Sequence, residues 1–95
     1  MNNAMLENLL KINDHEWIPR GVVITNVHVI AGKGADEPIR VANKLSEMYG
    51  GDADGWMKKV GKVASNKYEF DIHWYEHELT GQVDFKIKHY KERAD

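Results

Sequence analysis

The side chains in this chain that can do chemistry crowd into one stretch, Lys67–Lys88, KYEFDIHWYEHELTGQVDFKIK. Asp71, His73, Tyr75 and His77 fall at every second position, as do Asp84, Lys86 and Lys88 after a Thr80-Gly81 break. Residues two apart on a strand share a face, so this spacing gathers titratable groups on one surface. A histidine can give or take a proton near neutral pH. Lysines beside it can offset the charge of a phosphate. His73 is therefore a candidate acid–base residue. Lys86 and Lys88 are candidate contacts for an anion, and Tyr75 adds an aromatic ring to the same face. Half-exposed sheets carry charged outer faces for solubility as well, so the array alone does not define a reaction.

The elements that must position this array start with a β-hairpin. Tyr68, Phe70, Ile72 and Trp74 alternate with the polar set, and Val83, Phe85 and Ile87 alternate on the second strand. That period predicts two antiparallel strands with one buried face. An even-numbered apolar set facing an odd-numbered one requires an even loop. A loop over Glu78–Gly81 pairs Trp74 with Phe85, Ile72 with Ile87, His73 with Lys86 and Asp71 with Lys88. A shorter Thr80-Gly81 loop puts His73 opposite Lys88 instead. Glu76, a further candidate acid–base group, has the parity of the apolar face and needs a bulge to join His73.

Upstream, the β-branched run Gly21–Ala31, GVVITNVHVIA, reads as a central strand covered on both faces. Its parity groups Val23, Val27 and Val29 on one side and Val22, Ile24, His28 and Ile30 on the other. His28 is then a histidine among aliphatics, either a hydrogen-bonded core residue or a second acid–base candidate. Gly32-Lys33-Gly34 comes next as a turn. It lacks P-loop spacing, but it lets the backbone approach an anion, so Lys33 is a candidate phosphate contact. Asp36 and Pro38 open a helix whose stripe is Ile39, Ala42, Leu45, Met48 and Tyr49, stopped by Gly50-Gly51. Arg40 at its start is another candidate cation. Asp52 starts a shorter helix carrying Trp56 and Val60 and ending at Gly61, with Lys58, Lys59 and Lys62 clustered on or just past it, and Val63-Ala64 adds a brief strand. Residues 3–12 read as an amphipathic helix with Met5, Leu6, Leu9 and Leu10 on one face, ended by Asn13-Asp14. The tail from His89 is polar and reads as frayed. The expected fold is α+β: N-terminal helices packed on one face of a small antiparallel sheet that ends in a β-hairpin, one domain over residues 1–95 with its core in 20–90.

Composition narrows the function classes. The 95 residues carry a formal charge of −2 and no cysteine. A uniformly basic nucleic-acid coat, disulfides, thiolate metal sites and a cysteine nucleophile are thereby excluded. Charge is uneven: residues 1–55 hold five Lys/Arg against eight Asp/Glu, and residues 56–95 hold eight against seven. No apolar run is long enough to span a membrane, and no signal peptide is read at the N-terminus. The expected location is cytoplasmic, with no membrane partner.

Residues 31–88 resemble a module found at the C-terminal ends of bacterial polymorphic toxins and prophage minor head proteins. The matching residues are Ala31–Gly34 (AGKG), Pro38-Ile39-Arg40, Tyr49-Gly50-Gly51, Trp56 with Lys58 and Lys59, DIHWYE at Asp71–Glu76 and VDFKIK at Val83–Lys88. The resemblance implies a small toxin-like ribonuclease of the barnase/EndoU/colicin/RelE-like group, bacterial or phage-associated, with RNA as its partner and neither metal nor cofactor. Three readings are open. The first is a metal-independent ribonuclease using His28, His73 and Glu76, with Lys33, Arg40, Tyr75, Lys86 and Lys88 on the substrate. The second is a non-enzymatic protein-binding module, immunity-like or a phage accessory protein, whose partner or second copy docks on the N-terminal helix. The third is a metal site built from Asp71, His73 and His77.

Overall fold

The computed structural model describes residues 2–7, 9–12 and 16–93. Its elements are β1 (Asn2–Met5), β2 (Leu10–Ile12), β3 (Glu16–Ile18), β4 (Val23–Gly32), α1 (Ala42–Tyr49), a 3₁₀ turn (Ala53–Gly55), β5 (Met57–Ala64), β6 (Tyr68–His77) and β7 (Gly81–Glu92). Five strands form one sheet in the order β1-β4-β5-β6-β7, and β2 pairs with β3 separately. Every pairing is antiparallel. The chain is thus a mostly antiparallel β protein with one α-helix among its described residues. The expected α+β arrangement, with N-terminal helices on a sheet face, is not adopted.

Three local reasons account for the difference. Residues 3–12 fit a helical stripe, but an isolated helix that short is marginal in water. The open edge of β4 offers better terms: β1 pairs with it, and Leu6 continues the exchange, its N–H donating to the Val22 carbonyl at 2.9 Å while Gly21 N–H donates to the Leu6 carbonyl at 2.8 Å. The helix end expected at Asn13-Asp14 lies outside the described residues. In the second case, Gly61 is not a helix stop but a point of close strand approach. A Cβ there would press into Ile24 Cγ2 and lie 3.0 Å from the Thr25 carbonyl oxygen. MKKVGKVA is therefore a strand, with Lys58, Val60 and Lys62 on one face and Lys59, Gly61 and Val63 on the other. In the third, the Glu37 carbonyl accepts from Gly32 N–H at 2.7 Å, so residues 33–41 loop back onto β4 and the helix starts only at Ala42. Of its expected stripe only Leu45 is buried, whereas Gly50 does end the helix.

The largest core lies on one face of the sheet, built from Leu6, Ile18, Ile24, Val27, Val63, Phe70, Ile72 and Trp74. The hairpin face behaves as its alternation predicts: Trp74 stacks on Phe85 with ring centroids 5.6 Å apart, and Ile72 pairs with Ile87. Among the described residues, the opposite face is covered only at one end. There Trp56, 0% exposed, meets the edge of His77 at 5.2 Å and Tyr49 of α1 at 6.1 Å. The rest of that face is open.

Bulges decide which side chains reach it. Asn26, Asp84 and His89 have left-handed backbones (φ 55°, 54° and 57°), and each sits at a register shift. A bulge reverses the parity of the residues beyond it. Asn26 puts both Ile24 and Val27 in the core and turns His28 out, so His28 is exposed and not a core histidine. The hairpin turn has three residues between His77 and Gly81, not the expected four, and Asp84 restores the parity. Val83 consequently pairs with Tyr75, on the face opposite Phe85. His89 allows Tyr90 back to the core side, where it stacks with Phe70 at 6.3 Å. The tail is therefore strand as far as Glu92, not frayed from His89.

Gly61→Ala tests the close approach. It should cost about 1–3 kcal/mol by overpacking Ile24, read as a lower denaturation midpoint in urea; unchanged stability would mean that β4 and β5 do not meet there.

Candidate functional site

The open face carries a row of side chains set by register alone. His28 of β4 pairs with Val60 of β5, Val60 with His73 of β6, and His73 with Lys86 of β7. The next row runs from Thr25 through Lys62 and Asp71 to Lys88. On the other side of the first row, Lys58 faces Tyr75, its ammonium 5.8 Å from the ring centroid. Neighbouring strands lie about 4.8 Å apart, so the His28 and His73 backbones are separated by roughly 10 Å, with only Val60 between them. Both histidines line one concavity of about 300 Å³, floored by Ile30 and Val60.

Each histidine is held differently. His28 Nδ1–H donates to the Asn26 carbonyl at 3.0 Å, which leaves Nε2 directed away from the strand. The bulge that turns His28 outward thus also fixes its ring. His73 is partly buried, and burial is the main force pushing its pKa below the ordinary histidine value; Lys88 and Lys58 add to the push, and Asp71 opposes it. Its Nδ1 is buried and has no hydrogen-bond partner among the described residues. His73 thus gives up its proton more readily than an ordinary histidine. Asp71 accepts from His89 Nδ1–H at 2.8 Å and lies 3.9 Å from the Lys62 ammonium.

The other expected site residues fall elsewhere. Glu76 lies on the core side with Trp74, not with His73. It accepts from Lys59 Nζ at 2.6 Å and from Trp74 Nε1–H at 3.1 Å, which makes it a structural partner of the core rim. Lys33 pairs with Glu78 at 3.7 Å, at the hairpin-turn end of the sheet. The Gly32-Lys33-Gly34 loop is also no anion cradle: Lys33 N–H donates to the Trp56 carbonyl at 3.0 Å, and Gly32, at φ 85°, is packed against that carbonyl and Ile39. Arg40 is exposed in the turn before α1 and does not join the row. His77 is 4% exposed, accepts from Leu79 N–H at Nδ1 (3.1 Å) and donates from Nε2 to Asp52 Oδ1 (3.0 Å). That contact, led by the hydrogen bond, lowers the Asp52 pKa. The Asp71, His73 and His77 metal site does not assemble, and no cluster of three potential ligands occurs among the described residues.

Sequence reasoning missed Lys58, Lys62 and His89 as members of this face. The alternation of KKVGKVA carried the signal for the lysines, had the segment been read with period two. His89 is delivered by a bulge, which alternation does not foresee. No helix among the described residues is long and apolar enough to cross a membrane. Comparison with known proteins finds no matching family model, no matching curated protein and no matching solved structure.

Two measurements check this geometry. Glu76→Ala strands Lys59 and the Trp74 indole N–H, and should cost about 1–3 kcal/mol in thermal unfolding; no loss would remove Glu76 from the core rim. His73 has a folded pKa below its unfolded one, so the folded state binds its proton less readily. Stability should fall as pH is lowered through the ordinary histidine range, near about 6.5 and below. His73→Gln should shrink that slope in denaturation measured between pH 5 and 8; an unchanged slope would contradict the burial of His73.

Proposed function

We propose that this protein is a small, toxin-like, metal-independent ribonuclease whose site is the open face around His73. The observation that carries the reading is the row His28–Val60–His73–Lys86, which sets two histidines, one strand apart, and a lysine in register on an accessible face. His73, in its neutral form, takes the proton from a ribose 2′-hydroxyl. The 2′-oxygen bonds to phosphorus, the bond from phosphorus to the 5′-oxygen breaks, and protonated His28 gives that oxygen a proton through Nε2. The products are a 2′,3′-cyclic phosphate and a free 5′-hydroxyl. The Asn26 carbonyl accepts from His28 Nδ1–H whether or not Nε2 is protonated, so one ring orientation serves both steps. Lys86 and Lys88 offset the charge that develops on the phosphate oxygens. Tyr75 offers a ring to a neighbouring base. Glu76 takes no part.

A second reading, a non-enzymatic protein-binding module, is favoured by one observation: Leu9 and Trp17 are 51% and 59% exposed beside the β2–β3 pair. Any partner on that side meets strands, since the N-terminal helix expected to receive it does not form.

The purified protein should cleave single-stranded RNA in EDTA and leave DNA intact, because DNA lacks the 2′-hydroxyl nucleophile. His73→Ala should lose about 10²–10⁴-fold in rate while its melting temperature stays within a few degrees of wild type. The ascending limb of the pH–rate profile should lie below about 6.5, the ordinary histidine value. A well-folded protein that leaves a broad panel of RNAs uncut between pH 5 and 8 favours the binding module.

A further inference from the structure

The concavity that holds His28 and His73 does not end at Asp71. A second hollow, of about 210 Å³, adjoins it and is lined by Lys62, Glu69, Asp71, His89 and Lys91 among others. Lys62 and Asp71 belong to both hollows and form the ridge between them. The two differ in chemistry. The first has the apolar floor of Ile30 and Val60, a surface that suits the flat face of a nucleobase. The second is rimmed by cations. Its carboxylates are already engaged: Asp71 with His89 at 2.8 Å and Lys62 at 3.9 Å, Glu69 with Lys91 at 3.8 Å and Arg93 at 3.1 Å. Lys88 stands opposite Asp71 on the same face. A chain whose formal charge is −2 has therefore concentrated Lys62, Lys88, Lys91 and Arg93 around two carboxylates at one end of its open face. Such a surplus suits a further phosphate more than another base.

We infer that the substrate is a single RNA strand that crosses both hollows, one nucleotide seated over the first with its base against Ile30 and Val60 and its phosphate between His28 and His73, and a neighbouring phosphate held over Lys62, Lys91 and His89. This rests on the ribonuclease reading for the cleaved step only; the path of the strand is a matter of binding. A paired base cannot leave its stack to reach the Ile30–Val60 floor without the cost of unpairing, so the face selects single strands over duplex. It also selects oligonucleotides over dinucleotides, because a dinucleotide leaves the second hollow empty.

Labelled thymidine oligomers test the path without being cleaved, since they lack the 2′-hydroxyl. By fluorescence anisotropy, affinity should rise at least about tenfold from the dinucleotide to the hexanucleotide. The Lys62→Ala/Lys91→Ala double variant should lose that gain and show a salt slope shallower by about 0.7 for each lost phosphate contact. The glutamine pair at the same positions should behave alike. Lys44→Ala, on the exposed surface of α1, should change nothing. With RNA, the double variant should raise KM for a hexanucleotide. Equal affinity for the two lengths, or a hexanucleotide affinity indifferent to Lys62 and Lys91, overturns the inference even where RNA is cleaved. Length-dependent binding that both double variants abolish, in a protein that cuts no RNA, upholds the path and removes the ribonuclease reading.

Discussion

The unbroken ladder between β5 and β6 is the constraint on which the rest of the molecule depends. Its pairs run from Met57 opposite Glu76 to Ala64 opposite Glu69 without a register shift. One residue of slip would turn β6 over relative to β5. Ile72 and Trp74 would then meet water while Asp71 and His73 entered the core. Burial of Val63, Phe70, Ile72 and Trp74 makes that exchange costly, at roughly 1.5–3 kcal/mol for each large apolar side chain moved into water. The same register sets Lys58 on Tyr75, Val60 beside His73 and Lys62 near Asp71. Core and candidate site are thus the two sides of one alternation.

The strands that flank this ladder are irregular, and the irregularity is what furnishes the site. Asn26 in β4 and Asp84 and His89 in β7 adopt left-handed backbones that only a small fraction of non-glycine residues take up. Each is tied to a side chain that matters. The Asn26 carbonyl orients His28, Asp84 accepts from the Tyr49 hydroxyl of α1 at 2.5 Å, and His89 reaches Asp71. Bulges concentrate where a sheet must re-aim side chains, and that is their effect here. They also interrupt β7, the sheet's outer strand, whose regular stretch between the bulges presents Lys86 and Lys88; charge and broken register are common means of discouraging a second sheet from pairing at an edge.

How much of this is legible in the sequence depends on where alternation holds. It holds in β6, so the faces shared by Asp71, His73 and Tyr75 and by Phe70, Ile72 and Trp74 can be read from parity; the pairing of His73 with Lys86 also needs a loop length, and the expected four-residue loop gives it only because the bulge at Asp84 offsets the three-residue turn. Alternation breaks at Asn26, which is why His28 reads as a core residue and is not, and at Asp84, which is why Val83 reads as core and instead joins Tyr75. Asn and Asp are the residue types that best tolerate a left-handed backbone, so Thr25-Asn26-Val27 and Val83-Asp84-Phe85 held a weak warning. The misread helices have another cause. Residues 3–12 and the Asp52–Gly61 segment are short and carry apolar residues that suit either period, and the availability of a strand edge decides between them. Glu76 is the simplest case. Parity assigns it to the core side, where Lys59 and the Trp74 indole hold it, so no bulge brings it to His73.

If the open face is a ribonuclease site, phosphate binds in the row formed by His28, His73 and Lys86. The most direct test is a structure of the protein with a bound 2′-deoxy oligonucleotide, which mimics the strand but lacks the attacking hydroxyl. One phosphate should then lie within hydrogen-bond reach of His73 and of Lys86, about 2.6–3.2 Å, with His28 Nε2 facing the same group. A strand bound instead along the Leu9–Trp17 side, or at Lys33 and Arg40, with the His73 row left bare, would contradict it.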